Sequence, residues 1–171
     1  MICLGNICRS PLAHGILEKK VNDLNLNVFV DSAGTGSWHI GNPPDIRSIE
    51  IADKNEISIS NQRARQFKKT DFEKFDLIYV MDKNNFNDIS NLDAHNRYQN
   101  KIKLILNELH PSQNMEVPDP YYGNNNGFEN VYNLLEKACD KIISKITKWA
   151  KDVYTWFLQQ LEMSKTIRKI K

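Results

Sequence analysis

Cys3-Leu4-Gly5-Asn6-Ile7-Cys8-Arg9-Ser10-Pro11 opens the chain and decides its reading. The segment sets a cysteine and an arginine six positions apart on a short loop that feeds straight into a helix. A helix N-terminus offers unpaired N–H groups and a partial positive charge, which together suit an anion. Gly5 is expected to supply the positive φ of a tight anion-binding nest, and Asn6 tolerates the same conformation. Arg9 brings a planar fork that can hold two phosphate oxygens. The field that gathers an anion also favours thiolate at Cys3, a nucleophile aimed at whatever the loop holds. A cysteine followed by an arginine six residues on is common by chance. Gly5 and Asn6 inside the loop, and Ser10-Pro11 opening the helix, separate this case from that background.

A phosphate ester attacked in this way needs an acid for its leaving oxygen. Asp119-Pro120-Tyr121-Tyr122-Gly123 can supply one, with Pro118 and Pro120 stiffening the backbone and the two tyrosines walling an aromatic group. Asp-Pro is also an ordinary turn, so this segment carries weight only beside the first.

Outward from the loop the chain alternates helices and strands. Pro11 to about Asn22 is helical with Leu12, Ile16, Leu17 and Val21 on one face, and His14 is expected in solvent. Asn27 to Ser32 reads as a strand, Asp45 to about Asn55 as a helix, and Asp71 to Phe75 as one helical turn. Leu77 to Met81 is a continuous apolar run, as in a strand buried on both faces. Asn84 to Leu92 is predicted helical and Ile102 to Leu106 a further strand. Asn124 to Gly127 reads as an exposed turn, before a long helix through Val131, Leu135, Ala138 and Ile142, where Cys139 is core. Such alternation predicts an α/β domain with a parallel sheet flanked by helices.

The bulk numbers agree. At 171 residues the chain is one domain by length. Lys plus Arg is 23 against 21 Asp plus Glu, a net of +2 that does not point to nucleic acid. No apolar run reaches the ~18 residues of a membrane span. Three cysteines at irregular spacing argue against a disulfide framework and no signal peptide opens the chain, so the cytoplasm is the expected compartment. His14, His39, His95 and His110 lack metal-ligand spacing, and no metal or cofactor is expected.

Four separated segments make the chain resemble the low-molecular-weight protein tyrosine phosphatases: Cys3 to Pro11, Val30-Asp31-Ser32-Ala33-Gly34-Thr35, Gly41-Asn42-Pro43-Pro44-Asp45, and Asp119 to Gly123. The resemblance spans roughly Ile2 to Ile146 and implies a four-stranded parallel sheet. It also implies that Cys3 attacks phosphorus to form a phosphocysteine, that Arg9 binds the phosphate, and that Asp119 is first acid and then base. Backbone N–H groups from Leu4 through Gly5, Asn6, Ile7 and Cys8 to Arg9 would line the phosphate cradle, and Ser10 would hydrogen-bond the Cys3 sulfur. Trp38, Tyr121 and Tyr122 would flank a phenyl ring on a phosphotyrosine protein substrate. Cys8 would form a reversible disulfide with Cys3, though a small buried space-filler fits it equally well. Arsenate reductases of the same fold use two further cysteines where only Cys139 remains here. Protein-arginine phosphatases tend to carry Thr where this loop has Ile7. An inactive, truncated phosphate-binding remnant is the third alternative.

The chain departs from that pattern in three places. Family members begin with several apolar residues ahead of the cysteine; here only Met1 and Ile2 precede it, so the first strand is expected to be truncated. Many members orient the loop asparagine with a histidine, and Gln62 stands in the matching place, from which it is expected to reach Asn6. The domain is expected to cover residues 1–147, with 148–171 a basic amphipathic helical extension carrying six basic and two acidic groups. Such a helix suits a membrane surface or an acidic partner; a last helix that lengthens and docks is the favoured reading.

Overall fold

The computed structural model describes residues 1–121 and 126–169; along the last helix side chains are described through Trp156, Tyr154 excepted. Four short parallel strands form one sheet: β1 (Ile2–Cys3), β2 (Ala33–Gly34), β3 (Ile78–Val80) and β4 (Ile102–Leu104), in the order β2-β1-β3-β4. The helices are α1 (Arg9–Asp23), α2 (Ile46–Lys54), α3 (Asp71–Lys74), α4 (Lys83–Ser90) and α5 (Asn126–Lys169).

Strand alternation sorts the core onto two faces. Ile2, Ile78, Val80, Ile102 and Leu104 pack with Phe72 and Ile89 on the α3 and α4 side. Cys3, Tyr79 and Met81 point the other way, into a larger cluster with Leu12 and Ile16 of α1 and Val131, Leu135 and Ile142 of α5. Burying each such Leu or Ile contributes about 1.5–3 kcal/mol, and this face anchors α1, whose N-terminus meets the Cys3 loop. Tyr79 donates to Glu108 at 3.0 Å, and Lys145 of α5 pairs with the same carboxylate.

The predicted Asn27–Ser32 strand is not one. Pairing falls on Ala33–Gly34, in register with Ile2 and Cys3; Met1 O accepts from Ala33 N–H, and the Met1 amine donates to Asp31 O. β4 is shorter than Ile102–Leu106 predicts, since Ile105–Glu108 closes into a 3₁₀ turn. Helix α1 begins two residues before Pro11, which sits inside the first turn, where a missing N–H still costs nothing.

Helix α5 runs 44 residues without a break. Its core contacts end near Ile143 and Ile146, and beyond them Trp149, Val153 and Trp156 stand 68, 44 and 60% exposed. The apolar positions of the extension therefore do not dock on the domain as far as they are described. The side chains of Phe157, Leu161, Lys165, Arg168 and Lys169 lie outside the described residues, as do Lys171, Asn124 and Asn125; Asn126 and Gly127, expected in a turn, instead open α5. No helix among the described residues is long and apolar enough to cross a membrane.

Candidate active site

The loop from Cys3 to Arg9 sits at the C-terminal edge of β1, where parallel sheets gather their ligand sites. Its carbonyls are tied outward. Cys3 O and Leu4 O accept from the Thr35 and Gly36 amides, Ile7 O accepts from Asp45 N–H, and Cys8 O accepts from the Ser48 hydroxyl. The peptide bonds are trans, so the N–H groups of Leu4, Gly5, Cys8 and Arg9 point opposite to those carbonyls.

Positive φ occurs at Asn6 (55°), not at Gly5. Gly5 is small for another reason: a Cβ there would meet His39 Cδ2 at 2.9 Å. Gly34 is tighter still, because a Cβ would lie 2.8 Å from Leu4 O and 3.2 Å from Asn6 N. Asn6 is buried and fully bonded. Its Oδ1 accepts from Arg65 N–H at 3.0 Å, and its Nδ2 donates to Ser10 Oγ and Ser32 Oγ, each at 2.9 Å. Ser10 Oγ in turn lies 3.1 Å from Cys3 Sγ. These bonds hold the left-handed asparagine that the loop requires.

Arg9 is 3% exposed. Its Nη1 donates to Asp82 at 2.6 Å and to Val117 O at 3.1 Å; its Nη2 donates to Asp119 at 2.9 Å. Burial alone would pull the guanidinium down, but Cys3, Asp119 and Asp82 outweigh it and hold Arg9 above its ordinary value. Burial, helped by Asp45 and Cys3, pushes the Cys8 thiol up to about 12. Cys3, Cys8 and Cys139 are all free thiols.

Cys3, Leu4, Gly5, Ile7, Cys8 and Arg9 line an open cavity of about 180 Å³ with Trp38, His39, Asp119 and Tyr121. Its size is of the order of the ~150 Å³ cavities that admit benzene. The structure thus brings Cys3, Arg9, Asp119, Trp38 and Tyr121 to one cavity, with Ser10 behind the sulfur; Tyr122 lies outside the described residues. Among the described residues no three His, Cys, Asp or Glu side chains gather to hold a metal.

Four residues of this region were missed from the sequence. Asp82 follows β3 directly and caps α4 through Asn85 N–H; its place at the C-terminal end of a buried strand was the available signal. Arg47 and Asp45 tie α2 to the acid segment: Arg47 grips both Asp45 oxygens at 2.8–2.9 Å, donates to Tyr121 O at 3.2 Å, and stacks on Phe128 at 4.5 Å. Those bonds hold the Asp45 carboxyl below its usual range. His39 lines the cavity with no motif to announce it.

Two further expectations are overturned. Gln62 does not reach Asn6; its Nε2 donates to Pro11 O at 3.3 Å. His14 is not solvated: its side chain is 13% exposed, Nδ1 lies 3.4 Å from Ser32 Oγ, and Nε2 lies 3.7 Å from Glu18.

Comparison with known proteins agrees with this geometry. A putative low molecular weight protein-tyrosine-phosphatase of Synechocystis is 42% identical over 86% of this chain and 94% of its own length. The low molecular weight phosphotyrosine protein phosphatase of Homo sapiens is 40% identical over 84% and 92%. The crystal structure of a protein tyrosine phosphatase from Entamoeba histolytica, 34% identical, covers 87% of this chain and 96% of its own with a TM-score of 0.80. Residues 1–152 match the family described as low molecular weight phosphotyrosine protein phosphatase, and the chain belongs to that family of phosphoric monoester hydrolases.

Proposed function

We propose that this protein tyrosine phosphatase works through Cys3, Arg9 and Asp119. Cys3 sulfur attacks phosphorus while the tyrosyl oxygen leaves, taking the proton of Asp119; the product is a phosphocysteine and a free phenol. Asp119, now a carboxylate, accepts a proton from the water that attacks phosphorus and frees the Cys3 thiolate with inorganic phosphate. Arg9 and the amides of the Leu4–Arg9 loop supply positive field where charge spreads over the equatorial oxygens. Ser10 holds the sulfur, and Trp38 and Tyr121 bracket the ring. Tyr122 belongs to the same reading on sequence alone.

The observation that carries this reading is the convergence on one cavity of a buried cysteine, a buried arginine and a carboxylate 2.9 Å from that arginine. Ile7 in the cavity wall favours a phenyl ring over a guanidinium. Cys8 serves as a redox partner: a peroxide converts the Cys3 thiolate to sulfenic acid, and Cys8 sulfur displaces water to form the disulfide. A thiolate nucleophile and three free cysteines fit the cytoplasm. Residues 1–147 are the catalytic domain, and the basic stretch from Lys148 continues its last helix as far as Lys169.

The test is turnover of para-nitrophenyl phosphate and of phosphotyrosine and phosphoarginine peptides with EDTA present. Vanadate-sensitive hydrolysis that prefers phosphotyrosine, and is lost in Cys3→Ser with phosphate binding retained, supports the reading. Turnover retained in Cys3→Ser rejects Cys3 as nucleophile, and a preference for phosphoarginine rejects the substrate class.

A further inference from the structure

A line of hydrogen bonds runs from the Cys3 sulfur into the interior of the fold. Cys3 Sγ meets Ser10 Oγ, Ser10 Oγ accepts from Asn6, Asn6 also donates to Ser32 Oγ, and Ser32 Oγ meets His14 Nδ1. Proton accounting orders this line. The Asn6 amide is oriented by Arg65 N–H on its oxygen, so both amide hydrogens are spent, one on each serine. Each serine is then an acceptor toward Asn6 and keeps its own hydrogen for its other neighbour. For Ser10 the nearer such neighbour is the sulfur at 3.1 Å, with Ala33 O farther off at 3.5 Å. For Ser32 it is His14 Nδ1, 3.4 Å away, which takes that hydrogen in the tautomer that leaves Nδ1 its lone pair.

We propose that His14 is a positioning residue for the nucleophile: neutral His14 accepts the Ser32 hydroxyl and so keeps Asn6 and Ser10 braced behind Cys3, and protonation of His14 releases that brace. A protonated ring has N–H at Nδ1. The ring then no longer accepts the Ser32 hydrogen, and the hydroxyl must turn to find another acceptor, which disturbs the geometry in which it accepts from Asn6. Asn6 holds a left-handed backbone in the middle of the cradle, so slack there reaches both the amides and the sulfur. The groups facing the ring are Glu18 on its own helix, Asp31 ahead of β2 and the Met1 amine beside β1. Burial outweighs the two carboxylates and lowers the proton affinity of His14, which keeps the accepting form in place near neutral pH. Gln62, turned to Pro11 O, leaves His14 to finish the line.

The inference rests on Cys3 as nucleophile, and its test reads that sulfur directly. The full chain, His14→Leu and His14→Asn are alkylated with iodoacetate from pH 5 to 8, with inorganic phosphate as protectant and mass mapping of the label. Removing one acceptor is expected to slow Cys3 alkylation at pH 6 by roughly three- to tenfold in His14→Leu. Asparagine puts a carbonyl oxygen near the Nδ1 position without titrating, so His14→Asn is expected to recover most of the rate and to lose the extra fall below pH 6.5. Coincident profiles for His14→Leu and the parent overturn the proposal. So does His14→Asn that retains the parent's acid fall, which also decides the matter should His14→Leu not fold. Label on a cysteine other than Cys3, unprotected by phosphate, overturns the nucleophile assignment and the proposal with it.

Discussion

Arg9 and Asp119 meet at 2.9 Å across the mouth of the cavity, Nη2 on Oδ2. On the proposed mechanism a phosphate held by Arg9 competes with Asp119 for this donor, and the acid leaves the arginine for the leaving oxygen as the ester seats.

Asp119→Ala is expected to act with two opposite signs. Inorganic phosphate should bind more tightly, since its competitor is gone. Turnover should fall by ~10²–10⁴-fold for esters with poor leaving groups and less for good ones. A leaving-group plot of kcat/KM beside the phosphate inhibition constant checks both; uniform slowing across leaving groups contradicts its role as acid.

Arg47 braces the segment next to Asp119 from outside the cavity lining. Its fork on Asp45, its bond to Tyr121 O and its stacking on Phe128 fix the segment next to Asp119. Arg47→Lys keeps the charge and loses the fork. The expected result is a loss of roughly 10–100-fold in kcat/KM, steepest for poor leaving groups, with affinity for inorganic phosphate nearly unchanged.

Asp82 has two jobs that one pair of variants separates. Asp82→Asn keeps an acceptor for Asn85 N–H but removes the charge beside Arg9. It should weaken phosphate binding and kcat/KM with little loss of stability. Asp82→Ala should lose about 1 kcal/mol more in urea unfolding, the usual worth of a helix cap.

His14 also writes itself into stability. Burial lowers its proton affinity in the fold below the ordinary value of 6.5. Between that lowered value and 6.5 the unfolded chain holds a proton that the folded chain does not, so unfolding becomes easier as pH falls through the window and levels off beneath it. His14→Asn should remove this component from the urea midpoint measured across pH 5 to 8.

The sequence was legible where the decisive contacts were local. Leu77–Met81 announced β3 because a strand buried on both faces needs no partner information to be read. The phosphate loop was legible because glycine, asparagine and arginine at those offsets have few other uses together. Asn27–Ser32 is not legible in this way, since pairing there is set by register with a distant β1, nor is Gly5, whose Cβ would meet a histidine of another loop. His14 was misread because the helix pattern sees only α1, whereas the segment carrying Asp31 and Ser32 covers that side. Gln62 had the right address and the wrong direction, which no spacing records.

Gly34 carries a different kind of consequence. The strand end and the loop touch there through main chain alone, with no side chain able to yield. In a saturation library of this gene, position 34 should return glycine almost exclusively, while Leu4, 42% exposed on the neighbouring loop, should accept many replacements. The tolerance of the catalytic loop to genetic variation is thus set from outside it, by a residue that performs no chemistry.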